Sequence, residues 1–173
     1  MRLESFLSEF LLGATRSILE FNAFATPFVG IAQADHVCYT CRDVTEYETL
    51  RAKLLQESRF DYTAWISGRR ISIFRLNHGL PTALGVVTVL ELSDQKPDAS
   101  QKSGFNHIEI YPASGVAHGT SKLEMLARDL GYDLTVNAKA HHVTHDLRLA
   151  SGFRVRIEAE PLVESIVREM RHV

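Results

Sequence analysis

Two short segments carry the residues best suited to chemistry, and they read as copies of one another: Ala34-Asp35-His36-Val37-Cys38-Tyr39 and Phe105-Asn106-His107-Ile108-Glu109-Ile110. Each sets one histidine just inside an apolar, strand-like run. Each is followed at a similar distance by a carboxylate that closes another apolar run: Glu91 stands 55 residues after His36, and Glu160 stands 53 after His107. Imidazole nitrogen with carboxylate oxygen suits Zn, Fe, Mn or Ni, and two histidines with one carboxylate leave coordination positions open to a substrate. Two histidines and two carboxylates at repeated offsets point to one metal site built by a duplicated module.

Strand parity sorts the neighbours. His36, Cys38 and Thr40 share one face of the first strand, as His107, Glu109 and Tyr111 do on its counterpart. Val87, Val89 and Glu91 share a face near the end of the first copy, and Arg156, Glu158 and Glu160 near the end of the second. With those faces lining one cleft, both imidazoles and one or two carboxylates converge at one level. Either histidine alone reads as a hydrogen-bonded core residue; matched placement in two copies favours a metal or ligand site. Glu109 reads either as a general base beside the ion or as a strand carboxylate paired with an arginine. Arg69 and Arg70 read as anion contacts or as solvated turn charges. His141, His142 and His145 read as exposed, with one in reach of the cleft mouth. Cys38 and Cys41 lie three apart in a strand and so face opposite sides, which favours buried apolar thiols over a redox or zinc pair.

The elements that must position these groups follow from periodicity. Phe6, Leu7, Phe10, Leu11, Ala14, Ile18 and Phe21 form a helical stripe over residues 4–24, ended by Pro27 and Gly30. Module one, residues 32–92, then reads strand, helix, strand, strand, strand. Thr45 with Glu48 fits a capping box, Ser67-Gly68-Arg69 a hairpin turn, and Asn77–Gly85 a loop. Residues 93–104 form a polar linker. Module two, residues 105–160, repeats the order, with Ser121 and Glu124 as its capping box, Gly131 as a helix C-cap and Ser151-Gly152 as its turn. Pro161 opens a last helix over 161–171. A repeat of 71 residues in two copies indicates paired half-domains rather than a solenoid. The expected architecture is α+β: one domain over 1–173, with paired βαβββ modules curving around a cleft and extra helices at both ends.

Composition narrows the function classes. A formal charge of −2, with 19 Lys and Arg scattered among 21 Asp and Glu, gives no electrostatic case for nucleic acid or an anionic membrane. No apolar run approaches the roughly 20 residues of a membrane span. Glu9, Arg16 and Glu20 interrupt the apolar stretch that a secretory signal would need. The expected setting is the cytoplasm, the expected partner a small-molecule substrate or ligand, and the expected state a monomer or homodimer.

The paired modules, each with a histidine on its first strand and an acidic residue near its last, resemble the vicinal oxygen chelate superfamily of glyoxalases, extradiol dioxygenases and fosfomycin and bleomycin resistance proteins. Ala34-Asp35-His36, Ile66-Ser67-Gly68-Arg69, Gly104-Phe105-Asn106-His107-Ile108-Glu109-Ile110 and Glu160-Pro161 resemble more closely its small bacterial YecM-like branch. The resemblance covers roughly residues 10–170. It implies one divalent ion binding two vicinal substrate oxygens as a Lewis acid, held by His36, His107 and Glu160, with Glu91 as a fourth ligand. The superfamily's last acidic residue commonly lies about four positions after the turn glycine. Here that position is Arg156, so Glu158 or Glu160 must serve. The function implied is isomerase, lyase or oxygenase chemistry on a small oxygenated metabolite, with Glu91, Glu109 or Glu160 moving the proton. The alternative is a binding or sequestering protein of the same fold without turnover.

Overall fold

Chain order resolves into two copies of one five-element unit. The structure is a computed structural model in which residues 6–139 and 142–170 are described. Residues 4 and 5 of the expected first helix, His141 and Arg171 lie outside the described residues. Helices α1 (Phe6–Leu12) and α2 (Thr15–Ala25) come first, then a 3-10 turn at Thr26–Phe28. Module one comprises β1 (Ala32–Thr40), α3 (Val44–Leu54), β2 (Ser58–Ile66), β3 (Arg69–Thr82) and β4 (Gly85–Ser93). Module two comprises β5 (Gly104–Pro112), α4 (Gly119–Asp129), β6 (Thr135–Lys139), β7 (His142–Arg148) and β8 (Arg154–Ile157), and α5 (Leu162–Met170) follows it. This is the α+β, paired βαβββ architecture expected from the sequence.

The two halves meet edge to edge as one sheet in the order β2-β3-β4-β1-β5-β8-β7-β6. In each module the last strand lies parallel to the first, β4 on β1 and β8 on β5, and the modules join through antiparallel β1–β5 pairing. That junction satisfies backbone groups which two separate sheets would leave on bare edges. Alternation sends Val37, Leu90, Ile108 and Val155 to one face, where they form a single core with Phe21, Phe28 and Leu123 from the covering segments. Each fully buried side chain of that kind contributes roughly 1.5–3 kcal/mol. The opposite face carries the candidate ligands.

Local structure departs from the sequence reading at three places. The expected 4–24 helix breaks at Gly13, where Gly13 and Ala14 donate to the carbonyls of Phe10 and Leu11 in tight turns. A Cβ at Gly13 would stand 3.2 Å from the Phe10 oxygen and 3.5 Å from the Phe105 ring, so the glycine lets the helices close on β5. Neither expected capping box forms. Asp43 caps α3 by accepting from the Glu46 amide, and Glu46 accepts from the Arg42 amide in return. α4 starts after His118 in a left-handed conformation, with no side-chain cap. Finally, the expected loop 77–85 is mostly strand. A register irregularity between Arg75 and Leu80 carries β3 on to Thr82. A Cβ at Gly79 would fall 2.5 Å from the Val86 side chain, so this glycine marks a close strand approach rather than a loop.

Candidate metal centre

β1 and β5 slip in register between Ala34 and Val37, an irregularity that spans Asp35 and His36. Bulges re-aim side chains, and here Asp35 and His36 are both buried and bonded to each other. Nδ1–H of His36 donates to Asp35 Oδ2 at 2.7 Å. Module two repeats the device: Nδ1–H of His107 donates to Asn106 Oδ1 at 2.5 Å, while the Asn106 amide nitrogen donates to Thr40 Oγ1, which fixes its orientation. In each copy the residue before the histidine occupies Nδ1 and leaves Nε2 for the cleft. Those two Nε2 atoms are buried and without a hydrogen-bond partner among the described residues. Leaving a buried polar atom unsatisfied costs roughly 1–3 kcal/mol. Two such atoms on rings with centroids 5.9 Å apart make a place for a group that neither ring can supply.

The carboxylates complete it. Ligand atoms of His36, His107 and Glu91 all lie within 4.8 Å of one another. Glu91 Oε2 stands 3.7 Å from His36 Nε2, and Glu109 Oε1 stands 3.6 Å from His36 Nε2 and 3.5 Å from His107 Nε2. These separations are too long for hydrogen bonds. They are close to the roughly 3.4 Å between ligand atoms that share a tetrahedral ion with bonds of about 2.0–2.1 Å. The residues present therefore fit a divalent ion. The Cys38 thiol donates to the other Glu91 oxygen at 3.1 Å and holds that carboxylate in place. Cys41 lies across the sheet in the helix-side core, so the two thiols face opposite sides as expected.

The groups titrate very differently. Burial lowers the pKa of His36, but Glu109, Asp35 and Glu91 outweigh it and raise the value to about 9. Burial also lowers His107, and there Glu109 and Glu91 only partly oppose it, so that ring is neutral and its Nε2 lone pair is available. Burial would raise Glu109, yet His36, His107 and Arg156 hold it well below the usual carboxylate range. Burial and the nearby Glu109 push Glu158 up to about 8.

Of the residues expected at the site, the structure brings together His36, His107, Glu91 and Glu109. Glu160 lies beyond the end of β8, and both its oxygens pair with the Arg168 guanidinium of α5. It is not in the ligand cluster. The register explains why its spacing misleads. Glu91 stands beside Cys38, two residues past His36, and the residue that stands beside Glu109, two past His107, is Arg156. Arg156 donates to both oxygens of Asp146, at 2.7 and 3.1 Å, and to Glu109 at 3.2 Å. Glu158 is buried on the cleft wall. Arg70 turns away to Glu48 and Asp94, while Arg69 lines the cleft and donates to Ser93. His145 pairs with Glu124 of α4, away from the cleft. Sequence reading missed Asp35 and Asn106. The signal was present as a short polar amide or acid directly before each histidine.

The cleft encloses about 850 Å³ and is lined by both modules and by α5. Its module-one wall includes Ile71 and Ile73, which pack with the buried Val89 against Val163 and Ile166 of α5. Its module-two wall presents Thr144, Asp146, Arg154 and Arg156. Asp35 ties the lid to the site: the oxygen that holds His36 also accepts from the Leu162 amide at 3.0 Å, at the start of α5.

Residues 16–159 match the family model described as YecM protein, which is most of the chain, and the chain belongs to that family. No curated protein matches it in sequence. Among solved structures, a structural-genomics target, protein EC4020, is 18% identical over 94% of this chain and 92% of its own, with a TM-score of 0.72. Hydroxyglutarate synthase from Oryza sativa, solved in complex with 2-oxoadipate, is 10% identical over 91% of this chain and 81% of its own, with a TM-score of 0.58. At these identities the likeness is one of fold. The family match bears out the closer of the two resemblances read from the sequence.

Proposed function

We propose that this YecM-family protein is a mononuclear divalent-metal enzyme acting on a small oxygenated metabolite, with His36, His107 and Glu91 as the ligands. The two buried, unpartnered Nε2 atoms facing one carboxylate at ligand spacing carry the reading. When bound, the ion supplies Lewis-acid polarisation of two vicinal substrate oxygens at its open positions. The protein's own groups do the rest. Asp35 and Asn106 fix both rings with Nε2 toward the ion, an arrangement that commonly raises metal affinity 10–100-fold. Glu109, held as an anion by His36, His107 and Arg156, is a weak base and serves mainly to hold positive charge in the cleft. Glu158, with a pKa nearer neutrality, is better matched to carry a proton. α5 covers one side and limits water entry.

Metal content of protein purified without a histidine tag tests this. One equivalent per chain is expected, of Zn, Fe, Mn or Ni. Glu91→Gln should lose most of it, and Glu160→Gln should keep it, because Glu160 is already engaged by Arg168. Loss with Glu160→Gln alone would return the ligand role to the end of module two, and no metal in the unaltered protein would reject the proposal.

A further inference from the structure

Duplication makes each cleft position readable against its twin. By register, His36 stands beside Val89 and His107 stands beside Arg154. In module one the position is a buried apolar residue packed with Val163 and Ile166 of α5. The fold therefore does not require a charge there, yet module two places a guanidinium directly beside a candidate ligand.

That guanidinium is poorly compensated. Its side chain is only 25% exposed, and its one ion-pair contact among the described residues is with Asp146, at 3.6 Å. Both oxygens of Asp146 already accept from Arg156 at closer range. Burial lowers the pKa of Arg154, Asp146 opposes this, and the charges of Arg156 and Arg148 add to the lowering. A half-buried cation in this condition is stabilised by an incoming anion more than a solvated one is. Arg156 is shared between Asp146 and Glu109, so it leaves Asp146 little capacity to compensate Arg154, while Arg69 and Lys96 line the same cavity without a carboxylate partner among the described residues.

We propose that Arg154 is the specificity-determining residue of the cleft and binds a carboxylate of the substrate, which is a small organic acid carrying that carboxylate apart from the two oxygens that chelate the ion. The inference rests on the metal reading for the chelating end only; the Arg154 contact stands on its own geometry.

Calorimetric titration of full-length, metal-loaded protein with 2-oxoglutarate and with 2-oxopentanoate tests it. The two acids share a chelating head and chain length and differ in the distal carboxylate. The unaltered protein should bind 2-oxoglutarate about tenfold or more tightly, the range of one charge-assisted hydrogen-bonded pair. Arg154→Gln should bring the two acids within about twofold while keeping its metal and its unfolding midpoint, and Arg154→Lys should restore part of the preference. Equal affinity in the unaltered protein, a preference that survives in Arg154→Gln, or no binding of either acid would overturn it. Metal measured on the same samples separates the two readings. A metal-free protein that still prefers the dianion, and loses that preference in Arg154→Gln, would reject the metal and retain the Arg154 assignment.

Discussion

Asp35 is the residue on which most depends, because one carboxylate oxygen serves both the His36 ring and the first turn of α5. The negative charge of Asp35 helps keep His36 protonated in the metal-free protein up to about pH 9. A metal needs the neutral imidazole, so the ion must displace that proton. Below pH 9 the affinity should climb about tenfold per pH unit, and above it the climb should flatten. Titration with Zn at pH 7.5 in two buffers of different ionisation enthalpy should report close to one proton released per ion. In Asp35→Asn the release should fall and the affinity drop about tenfold or more; unchanged release would mean that Asp35 does not tune the ring. The histidines themselves were legible because a metal site demands a rare residue type at a repeated place. The carboxylate was not. Glu160 nearly matches Glu91 in sequence offset, but β8 ends at Ile157, so the backbone leaves the strand before the count is complete.

Among the elements, α5 has a role that its sequence did not reveal. An amphipathic helix opened by Pro161 was expected, but nothing local says which surface receives its apolar face. The receiving surface is set by long-range pairing: Ile71 and Ile73 of β3 and Val89 of β4 cluster with Val163 and Ile166 of α5, apart from the helix-side core. Removing one side chain from so small a cluster should release the lid without unfolding the sheet. Ile166→Ala should cost about 2 kcal/mol or more in the stability of α5. By hydrogen exchange, amides of α5 should exchange faster while those of β1 and β5 stay protected. Protection lost throughout the chain would show instead that α5 belongs to the cooperative core. The same long-range logic explains the other departures at this scale. Gly13 and Gly79 read as breakers from sequence alone, whereas each is set by what approaches it, the Phe105 ring in one case and β4 in the other.

For the whole molecule, duplication followed by divergence accounts for the cleft. Symmetry about the β1–β5 pair brings two first-strand histidines together, and this much follows from the repeat. Divergence then gives one half an apolar wall with a carboxylate, Glu91, and the other half charged residues, Arg154 and Arg156. A twofold-symmetric site would have offered four equivalent groups; here His36, His107 and Glu91 come within ligand distance of one another, and Arg156 stands where a second carboxylate would be. Among the described residues no helix is long and apolar enough to cross a membrane. The central claim is that both modules ligate one ion, and X-ray absorption at the metal edge of the loaded protein tests it most directly. The predicted spectrum shows scattering from two imidazoles with nitrogens at about 2.0–2.1 Å, together with carboxylate oxygen, and each of His36→Ala and His107→Ala removes one imidazole. A spectrum without imidazole scattering, or one that neither substitution changes, would contradict it.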